Sequence, residues 1–456
     1  MKLNLYPKKW AMLSIATAFA SLSLCGTASA SDNVPTAAQK KPMMLTGATI
    51  HTVSGATLTN SNLLFDKGRI VAVGNNFKAP DGAQIVDVSG KHIYPGMISA
   101  NTVMGLAEVQ SVRATLDYAE VGAINPNARA VVAINPDSEL IPVARANGVL
   151  ATLSAPQAGP AGMINGISTL IQMEGWTWEE MALEPELGLH ITIPMLRFSP
   201  DMFPPPFDTR LEEMRKNAGL RVKMLEDAFE SALAYRKAKA DNPALPVDVR
   251  WEAMLPVLDG RRKVFMHAND ITQIRFALNF AERYQLKMVL VGAADSWRVA
   301  DVLKARQVPV IIGGVHAMPL RRSDPYDTQY SLAAKLSQAG VQFCIGRPGT
   351  DDDAPNERNL PFEAGTAVTY GLDKDEALKA ITLYPAQILG VADRLGSIET
   401  GKLASFFVTD GDPMETATKV EQIYIQGRLV DNTSHQSRLT EKYLKKYQQK
   451  KEAAMP

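Results

Sequence analysis

Apolar and polar positions keep two different rhythms along this chain. From residue 43 they alternate in short runs, 44–53 and 61–65, and Lys67-Gly68 turns the chain into a further strand ending at Gly74. The same grammar returns late: 405–410 reads as a strand, Gly411-Asp-Pro413 as a turn and 420–430 as a hairpin. Between about 92 and 394 the rhythm changes to apolar runs separated by amphipathic stretches. Residues 263–267 read as a strand, and 271–284 as a helix with apolar side chains at helical spacing. Strands at 287–291, 308–312 and 341–345 follow, separated by helices at 296–306 and 327–339. Repeated strand–helix units of this length predict parallel strands joined by right-handed crossovers. The fold class expected is α/β: a (β/α)8 TIM-type barrel plus a small composite β-sandwich built from both chain ends.

The boundaries that follow are 43–91 and 397–431 for the two halves of the sandwich and 92–396 for the barrel. The rhythm breaks at about 176–262, which reads as an insertion with a Pro-rich corner at Phe203-Pro-Pro-Pro-Phe207 and a long charged helix from Asp208 to about Lys239. Residues 432–456 form a charged C-terminal helix with Leu439, Tyr443, Leu444 and Tyr447 on one face, read as a surface helix. At the other end Lys2, Lys8 and Lys9 precede an apolar run over 10–25, and Ala28-Ser29-Ala30 supplies a small-x-small cleavage site. Residues 1–30 are therefore expected to be a signal peptide, 31–42 a flexible leader, and the mature protein periplasmic or secreted, without a transmembrane anchor. Leu24 before Cys25 argues against a lipoprotein.

Composition changes this picture little. Lys plus Arg equals Asp plus Glu at 48 each, which gives no support to a polyanionic partner, so nucleic acid is excluded as the expected ligand. Cleavage near Ala30 leaves Cys344 as the single cysteine, so no intramolecular disulfide is expected.

Candidate chemistry gathers at the ends of the predicted barrel strands. The segment Tyr94-Pro-Gly-Met-Ile-Ser-Ala-Asn-Thr-Val-Met-Gly-Leu106 opens the barrel, and Asp375-Glu-Ala-Leu-Lys-Ala-Ile-Thr-Leu-Tyr-Pro-Ala-Gln-Ile-Leu-Gly390 with Asp393-Arg-Leu-Gly-Ser-Ile-Glu-Thr-Gly-Lys402 closes it. Together these resemble the entry and exit blocks of the amidohydrolase superfamily, in particular exported members of its imidazolonepropionase-like branch. The resemblance covers essentially the whole chain after residue 30. It implies hydrolysis of carbon–nitrogen or related bonds in small non-peptide molecules, with one or two zinc-like ions.

In that family the first strand reads Asp-x-His-x-His, its two imidazoles facing one pocket. Here Ser99, Asn101 and Val103 occupy those three positions. An amide is a poor ligand for a transition metal and a valine is none. Met266-His267-Ala268 matches the family's Val-His-Ala, so His267 is the one expected metal ligand retained. The next strand offers no histidine before Asp295, and the last shows Arg347 and Pro348 where a carboxylate is expected.

The site expected is therefore an atypical one, with at most one divalent metal such as zinc, or none. His267, His316 just past a strand end, and Asp351 are the catalytic candidates. Asn101, Arg113, Asn269, Asp295 and Arg347 are the substrate-binding candidates, with Arg113 or Arg347 as a carboxylate clamp. His190 reads as structural. Two functions fit: a hydrolase of a small exported substrate, or a catalytically inactive solute-binding or partner subunit. A homo-oligomer, or a complex with a metal-complete relative, is compatible with either.

Overall fold

A computed structural model describes residues 34–159, 162–198 and 208–453. The predicted signal peptide and the Pro-rich corner lie outside the described residues. Two eight-stranded sheets account for the strands.

The first is the composite sheet. Its strands are β1 (Met43–Ile50), β2 (Leu58–Asp66), β3 (Arg69–Gly74), β4 (Gln84–Asp87) and β5 (His92–Pro95) from the N-terminal side. The second sheet then runs β6 (Met97–Thr102), β7 (Val149–Ser154), β8 (Ile164–Gln172), β9 (Ala182–Thr192), β10 (Lys263–Ala268), β11 (Met288–Gly292), β12 (Val310–Ile312) and β13 (Phe343–Ile345). The C-terminal part returns to the first sheet with β14 (Phe406–Thr409), β15 (Val420–Ile425) and β16 (Arg428–Val430). Pairing of β14 with β5 joins the two chain ends, residue for residue from Phe406 opposite Pro95 to Thr409 opposite His92. Alternation makes this possible, because Leu45, Leu63, Phe65, Phe406 and Tyr424 bury one face into a common core.

The second sheet is the barrel, in the order β13-β12-β11-β10-β9-β8-β7-β6. Seven strands share one direction, while β8 runs antiparallel to both β7 and β9. This corrects the reading of 176–262 as an insertion: β9, inside that range, is a wall strand laddered to β10. Its antiparallel hairpin with β8, followed by the 34-residue helix Asp208–Asp241, is what breaks the strand–helix rhythm. The helix expected at 327–339 begins only at Leu332, after a turn.

The barrel interior is packed rather than hollow. Ile98 and Ala100, Ala151 and Leu153, Val289 and Val291 alternate inward and meet Leu170, Phe265, Ile311 and Cys344. Phe265 fits because Gly188 on the neighbouring strand has no Cβ; one there would stand 2.2 Å from the ring. The helix Leu383–Leu389 closes the N-terminal end through Ala386, Ile388 and Leu389. Lys263 donates Nζ to the Ile388 carbonyl at 2.5 Å and Ile98 N to the Ile381 carbonyl at 2.9 Å. With that end plugged, the C-terminal mouth is the one free to hold a site.

Candidate active site at the barrel mouth

Strand register brings two histidines together. His267 on β10 stands opposite Thr192, and His190 on β9 opposite Phe265. His190 is fully buried, its ring flat on Phe265 with centroids 4.8 Å apart and planes 4° apart. Its Nδ1 lies 2.9 Å from Nε2 of the half-buried His267, while its Nε2 has no partner among the described residues. An orphaned N–H is rarer and costlier in a core than a bare lone pair. That places a proton on His190 Nδ1, makes His267 Nε2 the acceptor, and leaves the His267 proton on Nδ1. Burial holds His267 down at about 4; burial, with His267 alongside, holds His190 well below the ordinary histidine range. Both rings are therefore neutral at neutral pH. Asn165 extends this polar layer by donating Nδ2 to Thr192 Oγ1 at 2.9 Å.

The first strand contributes a seam and no ligand. Asn101 is buried and donates Nδ2 to the carbonyls of Arg347 and Pro348, each at 3.1 Å, tying β6 to the chain beyond β13. Gly349, at φ +76°, gives it room, since a Cβ there would stand 2.2 Å from the amide nitrogen. Val103 is buried in apolar core.

Arg347 is a clamp, but for its own chain. It is buried, donates Nε to Asp353 at 3.1 Å, and directs its two terminal nitrogens at Asp353 and Glu363. Burial pulls the guanidinium pKa down, and the paired carboxylates outweigh it, so the group stays charged. This corrects the expectation that Arg347 holds substrate, because its donors are committed. Glu363 also accepts from the amides of Val315 and His316, the latter at 2.9 Å. His316, half exposed, sets Nδ1 3.2 Å from Glu363 and Nε2 2.6 Å from Thr366 Oγ1.

Asp295 is corrected likewise. It is buried, accepts from the Ile271 amide at 2.9 Å, and pairs with Arg321 and Arg298. Burial works against its ionisation, and Arg321 with the amide outweighs that, leaving its carboxyl below the usual range. It anchors a helix start, and both its oxygens are taken up by these internal partners. Arg113 is exposed and donates one terminal nitrogen to the Leu116 carbonyl at 2.6 Å. Asn269 is exposed beside Gly292, where the missing Cβ leaves space for its amide. Asp351 accepts from the Tyr118 hydroxyl at 3.3 Å. No hydrogen bond or ion pair among the described residues joins His267, His316 and Asp351.

Two cavities lie away from the mouth. One of about 630 Å³ opens beside Lys263, Met288 and Pro309, and one of about 640 Å³ beside His51, Tyr384 and Glu399, both toward the plugged end.

Comparison with known proteins bears on this geometry. Residues 332–430 match the model of the Amidohydrolase family. Amidohydrolase tasK of Hapsidospora irregularis is 23% identical over 403 residues, covering 80% of this chain but only 39% of its own length. An imidazolonepropionase of Micrococcus luteus is 25% identical over 381 residues, covering 78% of this chain and 89% of its own. The crystal structure of an amidohydrolase from Thermotoga maritima superposes with a TM-score of 0.75 at 26% identity, over 85% of this chain and 99% of that one. The chain belongs to the amidohydrolase superfamily.

Within it the chain falls in the imidazolonepropionase-like branch. Amidohydrolases of this superfamily are generally metal-dependent, so the donor set can be tested for fit. A catalytic zinc needs three convergent nitrogen, sulfur or carboxylate ligands and an open position. Among the described residues no group of three His, Cys, Asp or Glu side chains gathers for this. His267 spends Nε2 on His190, Asn101 turns its nitrogen to backbone carbonyls, and Arg347 stands where the carboxylate would be. The family's two-metal centre does not fit these residues. Sequence reasoning missed His190 as the partner of His267, because its strand lay in the apparent insertion. It also missed Glu363 and Glu357, which sit in helical segments after β13 with no motif to mark them.

Proposed function

We propose that this amidohydrolase acts on a carbon–nitrogen bond of a small non-peptide molecule, using a mouth rebuilt around the His190–His267 pair. The observation that carries this is the 2.9 Å contact between the two rings on adjacent wall strands. A neutral His267 held with its proton on Nδ1 is a hydrogen-bond donor, suited to a carbonyl oxygen as negative charge develops on it. Its low basicity makes it a poor proton acceptor. Asp351, on the loop beyond β13, is the carboxylate available to take the proton of an attacking water. The leader sequence over 1–30 supports a substrate met outside the cytoplasm.

The commitment of Arg347 and Asp295 to internal ion pairs favours a second reading, in which the barrel is a non-catalytic binding or partner subunit. A panel of amides, lactams, acyl-amino acids and dipeptides separates them. The proposal expects turnover of at least one non-peptide amide, reduced about 100-fold or more in His267→Gln, a loss typical of an oxyanion donor. Absence of turnover across the panel by a folded preparation would leave the binding reading standing.

A further inference from the structure

The buried charges behind β13 do not balance. Asp353, Glu357 and Glu363 are each less than a tenth exposed, as is Arg347, the one guanidinium they surround. With all three carboxyls ionised Arg347 alone cannot balance them, and burial pushes the Glu357 carboxyl up to about 7, so either a neutral Glu357 or a bound cation must answer the deficit. Asp353 and Glu363 are satisfied by Arg347, but Glu357 is not: neither of its carboxylate oxygens has a hydrogen-bond partner among the described residues. It lies on the 3-10 turn Ala354–Asn359, completely buried, with the hydroxyls of Ser99 and Thr102 of β6 facing it. Ser99 Oγ is itself buried and without a partner. Orphaned oxygens gathered in one place call for an occupant, since each left bare in a core costs free energy.

We propose that Glu357, with Ser99 and Thr102, binds a hard, oxygen-preferring cation of the alkali or alkaline-earth kind. Two carboxylate and two hydroxyl oxygens are the donors such ions take, and imidazole or thiolate, which zinc prefers, is absent from the set. The ion would supply the charge that Arg347 lacks and tie the first barrel strand to the turn beyond the last. The site is independent of the catalytic proposal. It shares no residue with the His190–His267 pair.

Thermal unfolding of chelator-treated protein in choline chloride buffer, with sodium, potassium, magnesium or calcium added singly, tests it. At least one of these ions should raise the melting temperature of the wild type by several degrees, saturably. Glu357→Gln, near-isosteric, should abolish that shift. Ser99→Ala should weaken it, and serves if Glu357→Gln does not fold. No response to any of the four ions, or an equal response in both variants, would overturn the site. So would a Glu357→Gln protein more stable than an ion-insensitive wild type, the mark of a carboxyl kept neutral by its burial.

Discussion

His267 shows how surroundings set the chemistry of a side chain that a motif only locates. The match of Met266-His267-Ala268 to the family's Val-His-Ala placed it at the mouth of the barrel. What the motif could not convey was the ring behind it, because the two histidines are 77 residues apart in sequence and meet only through β9–β10 register. Burial lowers its pKa from 6.5 to about 4, which has a consequence for stability. A histidine depressed in the folded state contributes fully above pH 6.5 and loses its contribution as pH falls toward 4. The loss is worth up to about 3 kcal/mol, at 1.36 kcal/mol per pH unit. Denaturation midpoints measured from pH 7 to 4 should therefore fall more steeply for the wild type than for His267→Gln. Parallel profiles would show that the ring titrates freely in the native protein.

Among elements, the ends of β12 and β13 are held by one network. Glu363, on the helix Leu360–Thr369, takes the amides after β12 and the guanidinium after β13, so a single carboxylate fixes two strand ends. Arg347→Ala would leave Asp353 and Glu363 buried without their partner. Breaking a buried pair from one side costs about 3–5 kcal/mol, and urea unfolding should show a loss of that size. A change below about 1 kcal/mol would mean that water already screens the cluster. The strands of this region were legible from their apolar runs, to within two or three residues. Arg347 and Asp295 were legible as polar groups at strand ends, but not in their roles. Sequence spacing places such a residue at the rim without telling whether its partner is a substrate or the next helix. The same limit hid β9: an antiparallel hairpin and a 34-residue helix follow no barrel rhythm, so a wall strand read as insertion.

For the whole molecule, the plan was largely present in the sequence. Alternating strands at both ends predicted one shared sheet, and β14 against β5 forms it. The apolar runs between predicted a barrel, and entry and exit motifs pointed to the superfamily that the comparisons support. The scaffold is thus that of the amidohydrolases, plugged at one end, with the candidate site at the other. Its interior departs from the metal pattern at the first strand, the last strand and the one retained histidine together. Among the described residues no helix is long and apolar enough to cross a membrane. This mouth is proposed to work through the His190–His267 pair without the family's transition-metal centre. Turnover of the best amide from the panel, measured with and without 1,10-phenanthroline, tests it most directly. Unchanged rates with the chelator, abolished by His267→Gln, are the predicted result; loss of activity with phenanthroline and its recovery on adding zinc would contradict it.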